Sequence, residues 1–349
     1  MKSARVTARV TERVTKRISE RISERQFVNL LRRRAAQHAA RLGKSSALRR
    51  GIGEDCAVIA ASRQKDLLIT TDLFLEGVHF RRQWQAAEAV GYKVLARGLS
   101  DIAAMGGVPR YAFLSLGLPR RLPAGWLDGF WRGFFRLAAA AKVILAGGDT
   151  GASPHAIVAD IMVVGETPRH RAILRSGARP GDEIWVTGKL GMAANGLRAL
   201  QEGKKQKSKK QTVKIRTSHQ ADLEAFLYPQ PRLRAGQYLR ERKLASAMID
   251  LSDGLSIDLA RLCEESRVGA SIIEASIPRA SRTAMDCALH GGEDLELLFT
   301  VPARRSRQLP ESLGGVRLTR IGQILSGRKL LLLRGEKERP LPVRGFQHF

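Results

Sequence analysis

Two kinds of hydrophobic spacing alternate along the chain and predict short strands mixed with helices. Apolar residues recur at helical spacing over 86–105, and a second helix, rich in Trp, Phe and Ala, is predicted from Pro123 to about 141. Continuous apolar runs at 111–119 and 155–166 are typical of buried strands. Further strands are predicted near 55–60, 67–71, 270–274, 294–301, 317–324 and 329–334, and a turn followed by a strand is predicted over 175–188. Further helices are predicted near 232–242 and 254–267. Because strands and helices follow one another without regular βαβ alternation, we predict an α+β fold with mixed α/β elements.

The first residues follow a different pattern. Arg recurs every four residues from Arg5 to Arg25, and this period drifts around a helix of 3.6 residues per turn, so no stable apolar face results. We therefore predict that residues 1–22 are a disordered basic extension. Ser23 and Gln26 then form a capping-box pattern, which predicts a first helix near 24–40.

The rest of the chain divides into two predicted domains. The turn-rich stretch RSGARPGD begins a new unit after the strand at 155–166, so we place a boundary near 167. Residues 23–166 are the predicted N-terminal domain, and residues 167–349 are the predicted C-terminal α+β domain. The Lys- and Gln-rich tract at 203–218 cannot bury a core, and we predict that it is a mobile loop.

The formal net charge of +27 raises the possibility of nucleic-acid binding, but its distribution argues against this function. Residues 1–50 hold fifteen Lys and Arg against three Glu, and residues 203–220 hold seven Lys and Arg with no acid. Aromatic residues are 5% of the chain and are not interleaved with these runs, so no stacking surface for bases is evident. We expect solvated basic segments and no nucleic-acid partner.

The cysteines and the apolar runs bear on the cell compartment. Three cysteines without a CxxC or Cys/His pattern fit small buried side chains in a reducing compartment. No apolar run reaches about 18 residues, and the N-terminus has no apolar signal-peptide core. We therefore expect a cytoplasmic protein with no membrane contact.

Six segments place an acidic residue beside Gly, Ser or Thr and next to an apolar stretch. Each alone is more typical of a turn or a helix cap. Together they suggest a site for hard cations such as Mg²⁺, which takes oxygen ligands and bridges phosphates. The segments are Gly51–Asp55, Thr70–Asp72, Ser100–Asp101, Gly147–Thr150, Asp250–Gly254 and Gly291–Asp294.

Asp101 carries the most weight among these residues. It lies within helical spacing, where it is not an obvious cap, and an unpaired buried charge is costly. A cation would be a suitable partner. The chain has no GxxxxGK[ST], no kinase HRD or DFG, no HExxH and no GxSxG, so any nucleotide site is built on metal ions.

The chain resembles the thiamine-monophosphate kinase family, within the superfamily that includes aminoimidazole ribonucleotide synthetase. The resemblance runs from about Phe27 to Phe349. The motifs that carry it are GIGEDCAVI, TTDLFLEGVHF, GYKVLARGLSDIAAMGGVP, GGDT, RSGARPGD, IDLSDGL, GGEDLELLFTVP and GFQHF. The N-terminal extension and the Lys-rich tract lie outside it.

The resemblance implies roles for individual residues. Metal-site residues would be Asp55, Thr70, Thr71, Asp72, Asp101, Asp149, Asp250 and Asp253. Contacts to ATP would come from Gly148, Asp149, Arg175 and Ser252. Contacts to the thiamine substrate would come from His79, Glu293 and Phe346. Glu54 stands where the family usually has Asp.

The resemblance also implies an architecture and a reaction. The N-terminal domain would bind ATP and metal and dimerise through its sheet, and the active site would lie between the two domains. ATP, with several Mg²⁺ ions, would phosphorylate thiamine monophosphate to thiamine diphosphate, with no general base. The alternatives are another ATP-dependent enzyme of the superfamily and, more remotely, a basic nucleic-acid-binding protein.

Overall fold

The first sheet is formed by strands β1 to β6. The structure is a computed structural model that describes residues 48–207 and 220–348, together with residues 25, 26, 29, 32 and 33. The strand order is β1-β2-β3-β6-β4-β5; β4 and β5 are parallel and the other pairs are antiparallel. The strands are β1 (Leu48–Arg50), β2 (Ala57–Ala60), β3 (Lys65–Leu75), β4 (Val108–Pro119), β5 (Ile144–Ser153) and β6 (Val158–Pro168).

The second sheet is also mixed, with β13 and β9 parallel and the other pairs antiparallel. Its order is β14-β13-β9-β12-β7-β10-β8, and the short β11 pairs with β12. The strands are β7 (Asp182–Thr187), β8 (Ala247–Leu251), β9 (Gly269–Ile273), β10 (Glu296–Pro302), β11 (Ser312–Leu313), β12 (Val316–Leu325), β13 (Leu330–Arg334) and β14 (Lys337–Pro340). The predicted mixture of strands and helices is confirmed.

Within the described residues from 48 onward, eight elements are α-helices. They are α1 (Ala87–Ala104), α2 (Trp126–Ala141), α3 (Met192–Lys207), α4 (Gln220–Leu227), α5 (Leu233–Glu241), α6 (Leu255–Ser266), α7 (Met285–His290) and α8 (Ala303–Ser306). The helices predicted over 86–105, 123–141, 232–242 and 254–267 are confirmed as α1, α2, α5 and α6. No helix in the described part of the chain is long and apolar enough to cross a membrane.

Helix α1 lies at the centre of the fold. Fourteen of its eighteen residues are buried, so it is enclosed on all sides rather than amphipathic. It packs on β3, β4 and β6 of the first sheet and also contacts β8 and β10 of the second sheet. A polar side chain on α1 is therefore available to residues from both sheets.

Helices α1 and α2 approach each other closely because glycine occupies their contact. A Cβ atom added at Gly91 would lie 1.9 Å from the carbonyl oxygen of Phe130, and one at Gly133 would lie 1.8 Å from that of Glu88. Both distances are far below van der Waals contact. Alanine at either position would force the helices apart and loosen the core that Phe130 and Phe134 fill.

The other face of the first sheet is exposed and apolar. Ladder partners share a face, and Met162 pairs with both Thr71 and Phe113, while Tyr111 pairs with Ile144 and Val164. We call this surface the outer apolar face. Its exposed large side chains are Leu73, Tyr111, Phe113, Ile144, Val158 and Met162.

Two predicted segments reach beyond the described residues. The five described residues within 25–33 are helical, in agreement with the first helix predicted near 24–40, whereas the extension predicted over 1–22 lies outside them. The prediction of a mobile loop from residue 203 is wrong for residues 203–207, because α3 continues to Lys207. Lys and Gln have high helix propensity, which accounts for this continuation. Residues 208–219 lie outside the described residues.

Candidate active site

Three aspartates from distant parts of the chain come together beside α1. Asp55 precedes β2, Asp101 lies in the last turn of α1, and Asp250 lies on β8. Each offers one carboxylate oxygen, and these oxygens all lie within 4.8 Å of one another. We call these three residues the aspartate triad. Asp55 and Asp250 are buried, and Asp101 is partly buried.

The triad concentrates negative charge in a place with little water. Burial, followed by the charges of Asp250, Asp72 and Asp55, raises the pKa of Asp101 well above its usual range. Burial, followed by the charges of Asp55 and Asp258, likewise raises the pKa of Asp250. The site therefore favours either protons or a cation, and its all-oxygen donor set fits a hard divalent ion such as Mg²⁺.

Two hydroxyl groups orient the triad. Thr70 on β3 donates through Oγ1 to Oδ2 of Asp101. Ser100 on α1 donates through Oγ to Oδ2 of Asp250 at 2.7 Å, which joins α1 to the second sheet. Each hydrogen bond leaves the other oxygen of its aspartate available for a metal ion.

Arg175 already neutralises one member of the triad. Its Nε and Nη2 donate to the two oxygens of Asp55 at 2.9 and 2.8 Å, in a bidentate pair. Its backbone N–H donates to Oε2 of Glu54 at 2.8 Å. Arg175 therefore lies beside the triad, with its guanidinium directed at Asp55.

Asp72, Arg97 and Glu293 extend the charged region along α1. Arg97 donates through Nη2 to Oδ1 of Asp72 at 2.8 Å, and its Nη1 lies 3.7 Å from Oε1 of Glu293. Lys93, one helical turn away, donates from Nζ to Oε2 of Glu293 at 2.6 Å. Glu293 is thus held by two cations from α1.

The loop after β8 brings Asp253 and Ser252 to the same region. Arg261 donates to Asp253 at 2.5 Å and to Asp258 at 2.8 Å. Asp258 in turn accepts bonds from the backbone N–H groups of Asp253 and Gly254. Burial raises the pKa of Asp258 to about 7. The carbonyl oxygen of Ser252 accepts a bond from the N–H of Glu293 at 2.7 Å.

The C-terminal segment brings an aromatic ring to the same loop. The N–H of Phe346 donates to the carbonyl oxygen of Asp253 at 3.1 Å. The Phe346 ring lies 5.8 Å from the His79 ring, tilted by 50°. His79 stacks on Phe74, and its Nδ1 accepts a bond from the N–H of Leu75 at 3.0 Å. The Phe346 side chain is partly exposed, whereas that of His79 is buried.

Two predicted metal-site residues, Thr71 and Asp149, have side chains on the face of the first sheet away from the triad. Strand alternation places the Thr71 side chain on the outer apolar face, opposite to Thr70. Asp149 on β5 pairs with Ser115, which pairs with Asp160 of β6, so its side chain lies on the same outer face. Its carboxylate accepts a bond from the N–H of Thr150 at 2.8 Å. Gly148 precedes it on β5.

Two charged residues of α1, Lys93 and Arg97, were not predicted as site residues from the sequence, and Ser100 was noted only as the neighbour of Asp101. Lys93, Arg97 and Ser100 lie with Asp101 at positions i, i+4, i+7 and i+8 of α1, which form one face of a helix. Charged and hydroxyl residues at that spacing, within a helix that is otherwise apolar, were the available signal. They mark the side of α1 that faces the site.

Comparisons with known proteins show the family to which the chain belongs. The family model for the N-terminal domain of AIR synthase related proteins matches residues 53–167. The family model for the C-terminal domain of AIR synthase related proteins matches residues 179–332. Thiamine-monophosphate kinase of Escherichia coli K12 is 38% identical over 312 residues, which are 86% of this chain and 91% of that protein. The chain belongs to the thiamine-monophosphate kinase family. The Bacillus subtilis thiamine-monophosphate kinase is 32% identical and is covered over 93% of its length.

Solved structures of this family share the fold. The structure of AaThiL complexed with AMPPCP and TMP superposes on this chain with a TM-score of 0.79 and 30% sequence identity. The match covers 94% of this chain and 97% of the AaThiL chain. Thiamine-monophosphate kinase from Stenotrophomonas maltophilia K279a matches with a TM-score of 0.70 and 35% sequence identity. This match covers 85% of this chain and 94% of the relative. Hydrogenase maturation protein HypE, at 18% identity, shares the fold alone.

Proposed function

We propose that this chain is an ATP-dependent kinase that phosphorylates thiamine monophosphate to thiamine diphosphate. The observation that carries the proposal is the aspartate triad, found in a chain that matches thiamine-monophosphate kinases over most of its length. The solved relative that was complexed with AMPPCP and TMP supports ATP as the co-substrate. Transfer to an existing phosphate makes the enzyme a phosphotransferase with a phosphate acceptor.

The triad is our proposed metal centre. Asp55, Asp101 and Asp250 would hold Mg²⁺, with Thr70 orienting Asp101 and with Asp72 and Asp253 nearby. Bound Mg²⁺ would supply the positive charge that lets two phosphate groups approach each other. The acceptor phosphate has a second pKa of about 6, so it is largely ionised at neutral pH and needs no general base.

The substrate-binding residues are also a proposal. Arg175 and Ser252 border the triad and are proposed ATP contacts together with Gly148 and Asp149. Glu293, His79 and Phe346 are proposed contacts to thiamine monophosphate. In support, Glu293 and Phe346 are both hydrogen-bonded to the backbone of the Ser252–Asp253 loop, which links the two groups of residues.

An assay that measures the products of the purified protein tests this function directly. Incubation with ATP, Mg²⁺ and thiamine monophosphate is expected to yield thiamine diphosphate and ADP in equal amounts, as resolved by chromatography. Thiamine without its phosphate serves as the control acceptor and is expected to give no product. If ATP is consumed only with a different acceptor, the substrate assignment is wrong even though the site is a kinase site.

Cation binding to the triad is expected to release protons. Because the metal-free site raises the pKa of Asp101 and Asp250, it retains protons that a cation must displace. Mg²⁺ affinity should therefore rise as the pH rises. Calorimetric titration in two buffers of different ionisation enthalpy measures this release. A binding enthalpy that is identical in both buffers would contradict it, and Asp101→Asn should reduce the release.

We also propose a homodimer formed through the outer apolar face. Single copies rarely leave so many large apolar side chains exposed on one surface, and such patches mark protein interfaces. The Thr71 and Asp149 side chains would then border the interface.

Met162→Asp is expected to convert the dimer to a monomer, because it places a charge in the middle of that face. Light scattering coupled to size exclusion measures the mass. Ile273→Asp changes an exposed apolar residue of the second sheet and should leave the dimer intact. A wild-type protein that is monomeric at micromolar concentration would contradict the proposal.

A further inference from the structure

Arg97 lies between carboxylates that come from both sheets. It donates to Asp72 on β3, and it lies 3.7 Å from Glu293 in the loop before β10. Burial disfavours its charge, but Asp72, Glu293 and Asp253 more than offset this effect and hold the pKa of Arg97 above its usual range. A permanent positive charge therefore occupies the position beside Asp72.

The contact between Arg97 and Asp72 is weaker than the contact between Arg175 and Asp55. Arg175 uses two guanidinium nitrogens in a bidentate pair, whereas Arg97 reaches Asp72 with Nη2 alone. The buried Nε of Arg97 has no hydrogen-bond partner among the residues that the structure describes. Breaking the Asp72 contact therefore loses one hydrogen bond together with the attraction between the two charges, whereas breaking the Asp55 contact loses two hydrogen bonds and that attraction.

Asp72 is also more accessible than Asp55. The Asp72 side chain is 22% exposed, and that of Asp55 is 1% exposed. An incoming cation can therefore approach Asp72 from its exposed side and compete with Arg97 for the carboxylate. Arg97 then has the neighbouring carboxylate of Glu293 as an alternative partner.

We propose that Arg97 is a positioning residue that takes the place of a metal ion beside Asp72 until nucleotide binds. It neutralises Asp72 in the free enzyme, and it yields this carboxylate to a cation that arrives with ATP. The inference rests on the proposed function, since it takes Asp72 as a metal ligand. It adds an order to metal binding: the triad binds first, and Asp72 joins with the nucleotide.

Titration with Mn²⁺, followed by electron paramagnetic resonance without nucleotide, tests this order. Arg97→Gln is expected to bind one more Mn²⁺ than the wild type, or to bind Mn²⁺ at least about tenfold more tightly. Arg97→Lys retains the charge and should titrate like the wild type. Arg49→Gln is the matched control, because Arg49 also pairs with a β3 aspartate, Asp66, through a single nitrogen.

Two results would overturn the proposal. One is an Mn²⁺ titration that is the same for the wild type and folded Arg97→Gln. The other is an equal gain in Arg97→Lys, because charge would then not be the cause.

Asp72→Asn provides a second test, which stands even if Arg97→Gln does not fold. It should leave Mn²⁺ binding unchanged without nucleotide and weaken it when ADP is present. Loss of binding without nucleotide would contradict the proposed order. Because these titrations need no turnover, their failure is distinct from a failure to form thiamine diphosphate.

Discussion

Asp101→Asn is expected to lower kcat at least about a hundredfold and to leave the metal-free protein at least as stable as the wild type. The substitution removes one carboxylate charge from the triad, and with it a ligand of the proposed metal centre. The Asn side-chain oxygen still accepts the hydrogen bond from Thr70. The variant therefore separates the functional use of the charge from its effect on folding.

The stability difference should depend on pH in a defined direction. The folded protein raises the pKa of Asp101, so folding takes up a proton at pH values where the unfolded chain is ionised. The free energy of unfolding of the wild type therefore falls as the pH rises above about 4, the pKa of an ordinary aspartate, and this contribution is lost in the variant. In thermal melts in EDTA, the melting temperature of the variant relative to that of the wild type should be higher at pH 8 than at pH 5.5.

Asp66→Asn is the matched control for this prediction. Asp66 is buried on the same strand as Thr70 but pairs with Arg49 and the N–H of His170, away from the triad. Its replacement should lower stability and leave kcat near normal, the reverse pattern. If Asp101→Asn instead melts below the wild type at both pH values, its loss of activity would be structural.

Arg175→Ala is expected to destabilise the metal-free protein by about 3–5 kcal/mol, because it leaves the buried Asp55 without its cation. Mg²⁺ should restore part of this stability, since a metal ion supplies the missing charge to the triad. Urea unfolding in EDTA and in Mg²⁺ measures both effects. Activity should also fall, because Arg175 is a proposed ATP contact.

The control for Arg175→Ala is Arg82→Ala. Arg82 pairs with Glu76 at 2.5 Å, and both side chains are more exposed than those of the Arg175–Asp55 pair. Its loss should cost about 1 kcal/mol or less, with no dependence on Mg²⁺. An Arg175→Ala variant whose instability is the same in EDTA and in Mg²⁺ would show that Arg175 does not share its charge-balancing function with a metal ion.

The sequence predicted helices and strands most accurately where the periodicity of hydrophobic residues was strong. The strands around 111–119 and 155–166 and the helix over 86–105 are present in the structure. Strand β5 was missed because LAGGDTGAS has few large apolar residues, and its pairing with β4 alone makes it a strand. Strand β10 begins at Glu296 rather than at 294, since Glu293 and Leu295 have positive φ angles that end the ladder.

The three members of the aspartate triad were predictable from the sequence, but the pairings of the site were not. Local motifs pointed to Asp55, Asp101 and Asp250, whose convergence the structure shows. The bond from Arg175 to Asp55 joins residues that are 120 positions apart, and the bond from Lys93 to Glu293 spans 200. Short motifs carry no information about such partners. The opposite faces of Thr70 and Thr71 follow from strand alternation once β3 is known to be a strand.

The position of α1 between the two sheets limits how the chain can be divided. Although separate family models match 53–167 and 179–332, Ser100 and Lys93 of α1 make their hydrogen bonds to Asp250 and Glu293. A fragment ending near residue 170 would expose one side of a helix that is buried all round. The second fragment would lose the partners of its own acidic residues. The two matched regions are therefore not independent modules, and co-expressed halves would have to reassemble around α1 to recover a soluble, active protein.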